Sequence, residues 1–295
     1  MASQHSAGTR RKHRKHSLVR MWRRGGLKTR VTMVLVAVVS TICVIALVMG
    51  LIRFSQWYAD VKRAEARQLE LAQQYDFDPG EIISDSQFFN ANAMSKAEVQ
   101  SFLESKGGAL ASMTFDTQTQ LADDLCAVYE GEQGESAASI IDKSARACKV
   151  SQKVLLTVLQ KEQHLVTATS PTEFELKAAM GLSCPDDADC DPTYAGFFKQ
   201  VFGAAKRYRY YLNHGGEYDY HAGQLASIRY HPNEACGATN VYIRNKATAL
   251  LYIYTPYQPN TAALAAGSGE GDSCSSYGNR NFALIYSGWF GNPRS

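Results

Sequence analysis

Twenty-two consecutive residues, Val31 to Ile52, carry no charge, and they limit where the rest of the chain can fold. As a helix rising about 1.5 Å per residue they extend roughly 33 Å, enough to cross a hydrocarbon layer of about 30 Å. A buried helix of a soluble protein is seldom apolar on every face for that length. A cleaved secretion signal would have an apolar region of roughly 7–15 residues and an A-x-A-like end. Val48-Met49-Gly50-Leu51-Ile52-Arg53 has no such end. The span therefore predicts a transmembrane signal-anchor over 31–52.

Charge gives the expected orientation. Of 31 Lys and Arg, ten lie in residues 1–30, which hold no Asp or Glu; the other 21 stand against 28 acids, a net of −7. A basic flank of this kind marks the cytoplasmic side, so residues 1–30 are expected inside the cell and the C-terminal body outside. The run Arg11-Lys12-His13-Arg14-Lys15 could also suggest nucleic acid. Beside a membrane span it more simply sets topology and touches anionic lipid, at about 1 kcal/mol per base; no nucleic-acid partner is expected.

The cysteines agree with that orientation. Cys43 lies in the span, while Cys126, Cys148, Cys184, Cys190, Cys236 and Cys274 all lie in the presumed outer body. An even number in an oxidising compartment predicts disulfides, with nearest neighbours (126–148, 184–190, 236–274) as the simplest of many connectivities. No C-x2-C or H-x3-5-H pair offers a zinc site. Asp186-Asp187-Ala188-Asp189-Cys190-Asp191 lacks the Gly and distal Glu of a calcium loop and reads as a solvated acidic loop. No metal and no cofactor are expected, and neither a G-x-S-x-G nor a G-x-G-x-x-G motif is present.

Beyond the span, residues 53–76 predict a helical stalk, with Trp57 and Tyr58 at the membrane interface. Asp78-Pro79-Gly80 is a break. Residues 77–120 form a small N-terminal helical unit, in which Ser95 and Glu98 make a capping box ahead of Val99, Phe102 and Leu103 on one face. The body, 121–295, reads as mainly α. Expected helices are Ala137–Cys148, a Ser151-capped helix to about Leu165, one starting at Pro192-Thr193-Tyr194, and Asn240–Tyr254 capped by Thr239. Tyr218-Asp219-Tyr220 and Ala226–Tyr230, turning at Gly223, predict one β-hairpin.

Within the second of these helices Leu155, Val158, Leu159 and Glu162 fall at i, i+3, i+4 and i+7, so a carboxylate extends the apolar stripe. Burying it without a partner costs several kcal/mol. It is a core ion pair, an exposed helix end or a catalytic acid. Lys161, adjacent in sequence, is expected to face elsewhere.

Several segments now carry a resemblance. Lys153-Val154-Leu155-Leu156-Thr157-Val158-Leu159-Gln160-Lys161-Glu162-Gln163 is similar to the helix bearing the catalytic Glu of lytic transglycosylases. Ala178-Ala179-Met180-Gly181-Leu182 resembles the glycine-containing segment bordering their cleft, and Gly203–Tyr208 the helix packed beneath it. Ile228-Arg229-Tyr230-His231 resembles their cleft-lining Ala-Tyr-Asn motif. More broadly, 77–290 looks like a group of actinobacterial hemagglutinin-like surface proteins, through phrases such as VLLTVLQKEQ and NRNFALIYSGWFG. The first resemblance implies a lysozyme-like α-rich domain acting on peptidoglycan glycan strands. It makes Glu162 the general acid/base and Gly181, Tyr230, His231 and Gln163 substrate contacts. With no second carboxylate well placed, it implies lyase-type cleavage more than hydrolysis. Two positions depart from the pattern: Gln163 stands where Ser is usual and His231 where Asn is. Those departures favour an alternative, a non-catalytic wall-binding or adhesion protein; an assembly protein is a third reading. Oligomeric state is open.

Overall fold

The computed structural model describes residues 18–184 and 190–295; the basic run at 11–15 and the acids at 186–189 lie outside the described residues. Two units compose the chain, one ending at Asp60 and the other running from Val61 to Ser295.

In the first unit a short helical segment at 18–24 precedes α1 (Leu27–Tyr75), which contains the whole uncharged span. Its most apolar stretch has a mean hydropathy of 2.9 and no buried residue, so it is long and apolar enough to cross a membrane. Cys43 is exposed and unpaired there.

The second unit begins inside α1. Val61, Ala64 and Gln68 are buried, and Leu71 and Tyr75 pack on the core. These alternating steps of three and four residues make one helix face. The end of the expected stalk is therefore docked rather than free. Gln68 is held like a strand residue: Tyr242 N–H donates to Gln68 Oε1 at 2.8 Å and Gln68 Nε2 donates back to Tyr242 O at 3.2 Å.

After the break at 78–80 come α2 (Asp85–Phe88), α3 (Lys96–Lys106), β1 (Thr114–Phe115), β2 (Glu135–Ser136), α4 (Ala137–Cys148), α5 (Gln152–Gln163), α6 (Glu173–Lys177), α7 (Phe197–Asn213), β3 (Gln224–Arg229), β4 (Ala238–Ile243), α8 (Lys246–Tyr254), α9 (Thr261–Ala265) and α10 (Gly278–Phe290). Strands β1 and β2 pair antiparallel, as do β3 and β4, with Leu225 opposite Tyr242 and Ile228 opposite Thr239. The mainly α class expected from the sequence is observed. Helix α3 starts with the expected box: Glu98 N–H donates to Ser95 Oγ, and Ser95 N–H donates to the Glu98 carboxylate at 2.7 Å. Gly107, left-handed at φ 70, ends it.

Helix α5 is the centre of the unit. Gln152 and every residue from Val154 to Leu159 are buried, because α4 and α10 both pack on it. One apolar cluster runs from Phe77 through Val99, Leu103 and the α5 residues to Phe282 and Tyr286. All three disulfides join nearest neighbours in sequence: Cys126–Cys148, Cys184–Cys190 and Cys236–Cys274.

Local expectations differ at three places. Thr239 caps nothing; it lies in β4, where Val241 and Ile243 alternate inward as a strand requires. Helix α8 starts six residues later, with Asn245 Oδ1 accepting Thr248 N–H at 2.9 Å. The partner of Ala226–Arg229 is consequently 238–241 and not Tyr218–Tyr220. Finally, Pro192–Tyr194 is a separate 3-10 turn, cut from α7 by Gly196 at φ 107.

Candidate functional site

Helix α5 leaves the core at its C-terminus, and that exit places Glu162. His164, left-handed at φ 54, closes the helix; its N–H donates to Gln160 O at 3.0 Å and Leu165 N–H to Leu159 O at 3.3 Å. Glu162 sits one turn past the last fully buried residues, with its side chain 24% exposed. The in-phase stripe thus ends at a rim.

Its partner is the neighbour that helical phase had set aside. Lys161 Nζ makes an ion pair with Glu162 Oε1, and the Lys161 side chain is only 7% exposed. The long stem explains how: it lies against Tyr254, with Nζ 5.9 Å from that ring's centroid and 3.5 Å from Thr255 Oγ1. The charge therefore returns to the helix end while the stem stays buried.

The other oxygen of Glu162 faces Gly181. That residue is left-handed at φ 66, and a Cβ built on it would lie 3.1 Å from Glu162 Oε2 and 3.2 Å from Cδ. Glycine is favoured here on both counts. A buried amide holds the loop that presents it. Met180 N–H and Leu182 N–H donate to Gln200 Oε1 at 3.0 and 3.1 Å, while Gln200 Nε2 donates to Leu182 O and Tyr194 O at 2.9 Å each. Gln200 was legible in the sequence as an uncharged polar residue among Phe197, Phe198, Val201 and Phe202, yet its role came only with the loop.

Beneath the carboxylate lie two phenols, Tyr208 and Tyr254, stacked at 5.0 Å. Burial first, then the Glu162 charge, pushes Tyr208 well above the usual phenol range. Tyr254 moves the same way through burial, Tyr208 and Glu162 in that order. Both are neutral, and Tyr254 donates its hydroxyl proton to Met180 O. The Glu162 corner thus has an uncharged floor, one cation and one open side.

The remaining residues singled out by sequence lie apart from this contact. Gln163 is the half-buried last residue of α5. Tyr230 and His231 follow β3. The Tyr230 hydroxyl receives Arg67 Nη2 at 2.7 Å and shares a hydrogen bond with Thr239 Oγ1 at 2.9 Å. His231 Nδ1 accepts Asn233 N–H at 3.1 Å. Among the described residues no hydrogen bond or ion pair joins either side chain to Glu162, and no group of His, Cys, Asp or Glu is arranged to hold a metal ion.

The carboxylate that is wholly buried is one the sequence did not mark. Glu135, 1% exposed, accepts Thr117 Oγ1 at 2.6 Å, Tyr129 and Ser139 hydroxyls at 2.7 Å, and pairs with Lys143 Nζ at 2.8 Å. Burial pushes its carboxyl up, but the bonds from Lys143, Thr117, Ser139 and Tyr129 together bring it below the usual range. It is closed and fully used.

A family model described as LasA, N-terminal domain, matches residues 81–295, well over half of the chain. No curated protein and no solved structure matches. The matched family is neither of the two groups that the sequence resembles.

Proposed function

The chain belongs to the LasA N-terminal domain family, and from that premise we propose a membrane-anchored cell-surface protein that cleaves peptidoglycan glycan strands, with Glu162 as general acid/base. Membership suggests a cell-wall-acting, peptidoglycan-related role. The chemistry is our reading of the Glu162 corner. In this reading residues 31–52 lie in the bilayer, residues 1–30 stay on the cytoplasmic side, and the disulfide-bonded body meets the wall outside. The observation that carries it is the contact between Glu162 and Gly181: a partly exposed carboxylate has one oxygen against a residue with no side chain. A sugar can approach that oxygen closely. The ion pair with Lys161 holds the carboxylate in place and favours its charged form, so in this reading substrate binding displaces Lys161 before a proton taken up by Glu162 passes to the departing glycosidic oxygen. Gly181, Gln163, Tyr230 and His231 are the proposed glycan contacts. Among the described residues no second carboxylate shares a hydrogen bond or ion pair with Glu162, and we read the reaction as internal ring closure by the sugar's own hydroxyl rather than hydrolysis.

The same pairing with a buried lysine is what the core-ion-pair reading of Glu162 expects, and it favours a second reading, a non-catalytic wall-binding or adhesion protein. A paired carboxylate is an acceptor for sugar hydroxyls and need not turn over. One experiment separates them: incubate the full chain in detergent micelles with peptidoglycan and analyse released muropeptides. Anhydro products that vanish in Glu162→Gln are expected. Reducing ends would indicate a hydrolase, and wall binding without product, unchanged in the variant, would refute cleavage.

A further inference from the structure

A groove of about 440 Å³ opens along α7, lined by Tyr194, Gly203, Lys206, Arg207, Tyr210 and Tyr218. Gly203, Arg207 and Tyr210 fall at i, i+4 and i+7, so the helix presents them on one face. The polar groups in it are unequally satisfied. Lys206 is paired with Asp123, and the Tyr210 hydroxyl donates to Glu217 at 2.9 Å. Arg207 has no carboxylate partner among the described residues. Its guanidinium lies 5.6 Å from the Tyr194 ring centroid and 6.0 Å from that of Tyr211, and its polar contact is the Tyr194 hydroxyl at 3.4 Å. With the Tyr211 hydroxyl also a hydrogen-bonding neighbour, this half-buried guanidinium still has more donors than its two phenols can accept. Its planar fork matches a carboxylate, and flanking aromatic faces suit the C–H face of a sugar ring.

The groove also adjoins the Glu162 corner. A Cβ on Gly203 would sit 2.7 Å from Leu182 Cδ2 and 3.4 Å from the Tyr194 ring. Leu182 follows Gly181, which touches Glu162. Leu182 packs into the space that Gly203 leaves, and the buried Tyr254 lies within reach of both the Glu162 and the Arg207 charge, so the two groups flank one aromatic floor.

We propose that this groove binds a carboxylate carried by the saccharide seated at Glu162, with Arg207 as its ligand. The inference rests on the glycan reading of Glu162 and names the substrate class: acidic rather than neutral glycan. In peptidoglycan that carboxylate comes either from the lactyl group of muramic acid or from the peptide attached to it.

Calorimetric titration of the full chain in detergent micelles tests this with three probes. They are the N-acetylglucosaminyl-N-acetylmuramic acid disaccharide, its lactyl carboxamide, and a muramoyl dipeptide whose lactyl group is already an amide. The free acid is expected to bind about ten- to a hundredfold tighter than the carboxamide, as a charge-assisted hydrogen bond requires, with the difference shrinking as salt is added and lost in Arg207→Gln. If the dipeptide recovers the tight binding, the peptide carboxylate is the source; if only the free disaccharide does, the lactyl group is. Equal affinity for all three probes, or no binding of any probe, overturns the proposal. So does an acid preference that survives in Arg207→Gln. The acid–carboxamide comparison needs no variant, so misfolding cannot imitate a negative result. Because binding is read and not turnover, an acid preference without muropeptide release would refute cleavage and leave the groove standing; release without acid preference would do the reverse.

Discussion

Replacing Gly181 by Ala isolates the contact on which the functional reading depends, provided that Gly223→Ala is measured beside it. Both glycines are left-handed, at φ 66 and φ 80, but a Cβ on Gly223 meets nothing within 4 Å. Gly223→Ala therefore carries only the backbone strain of an L-residue in that region, about 1 kcal/mol. Gly181→Ala carries the same strain and also places a methyl group 3.1 Å from Glu162 Oε2. The carboxylate must give way, and its ion pair with the 7%-exposed Lys161 shifts with it. Loosening a pair of that kind adds about 1 kcal/mol, less than the full loss of a buried pair. The expected totals are about 2 kcal/mol for Gly181→Ala and about 1 for Gly223→Ala. For a folded body of this size each kcal/mol lowers Tm by roughly 2–4 °C. Thermal unfolding of the full chain in detergent reads the difference. In peptidoglycan digestion Gly181→Ala should lose most product release while Gly223→Ala retains it. Equal Tm shifts would mean that Glu162 is not seated against Gly181, and the argument for its role would fall with them.

Two further outcomes follow from groups outside the site. Glu135→Gln removes the charge that Lys143, Thr117, Tyr129 and Ser139 converge on, and should cost about 3 kcal/mol in denaturant unfolding. Because the Glu135 carboxyl is lower folded than unfolded, its contribution is present above its unfolded value. It is lost as pH falls through the folded one, so the variant should also flatten the acid limb of stability against pH; an unchanged limb would refute this. Gln68→Ala leaves the Tyr242 N–H without its 2.8 Å acceptor; a loss of about 1–3 kcal/mol and faster hydrogen exchange at Tyr242 are expected, and unchanged exchange would show that α1 is not what protects that strand.

Periodicity made the helices legible, and tertiary context decided what it left out. Ala137–Cys148 and the Ser95–Glu98 box are written in short-range chemistry, and the sequence yields both. Segment 238–243 is not, because Ile243 also falls in helical phase with Ala247 and Leu250; pairing with β3 decides it. Lys161 was set aside on helical phase alone, which describes where Cβ points and not where a four-carbon stem can carry its charge. Arg207 had no signal as a lone base among many on a tyrosine-rich helix. It stands out only once the partners of Lys206 and Tyr210 are known.

Burial is the wrong criterion for choosing between the two carboxylates, and counting acceptors is the better one. An ionised carboxylate has about four acceptor sites. Glu135 fills them with three hydroxyls and an ammonium, in a place that a substrate cannot reach. Its burial is compensated from within the protein, and it has nothing left to offer. Glu162 is more exposed and so looks less exceptional, yet among the described residues its one hydrogen-bond or ion-pair partner is Lys161. One of its oxygens lies against a glycine, and its floor of Tyr208 and Tyr254 is neutral. Its side chain is 24% exposed, so acceptor capacity is left beside Gly181. Spare acceptor capacity beside a glycine is why Glu162, not the better-buried Glu135, carries the proposed chemistry.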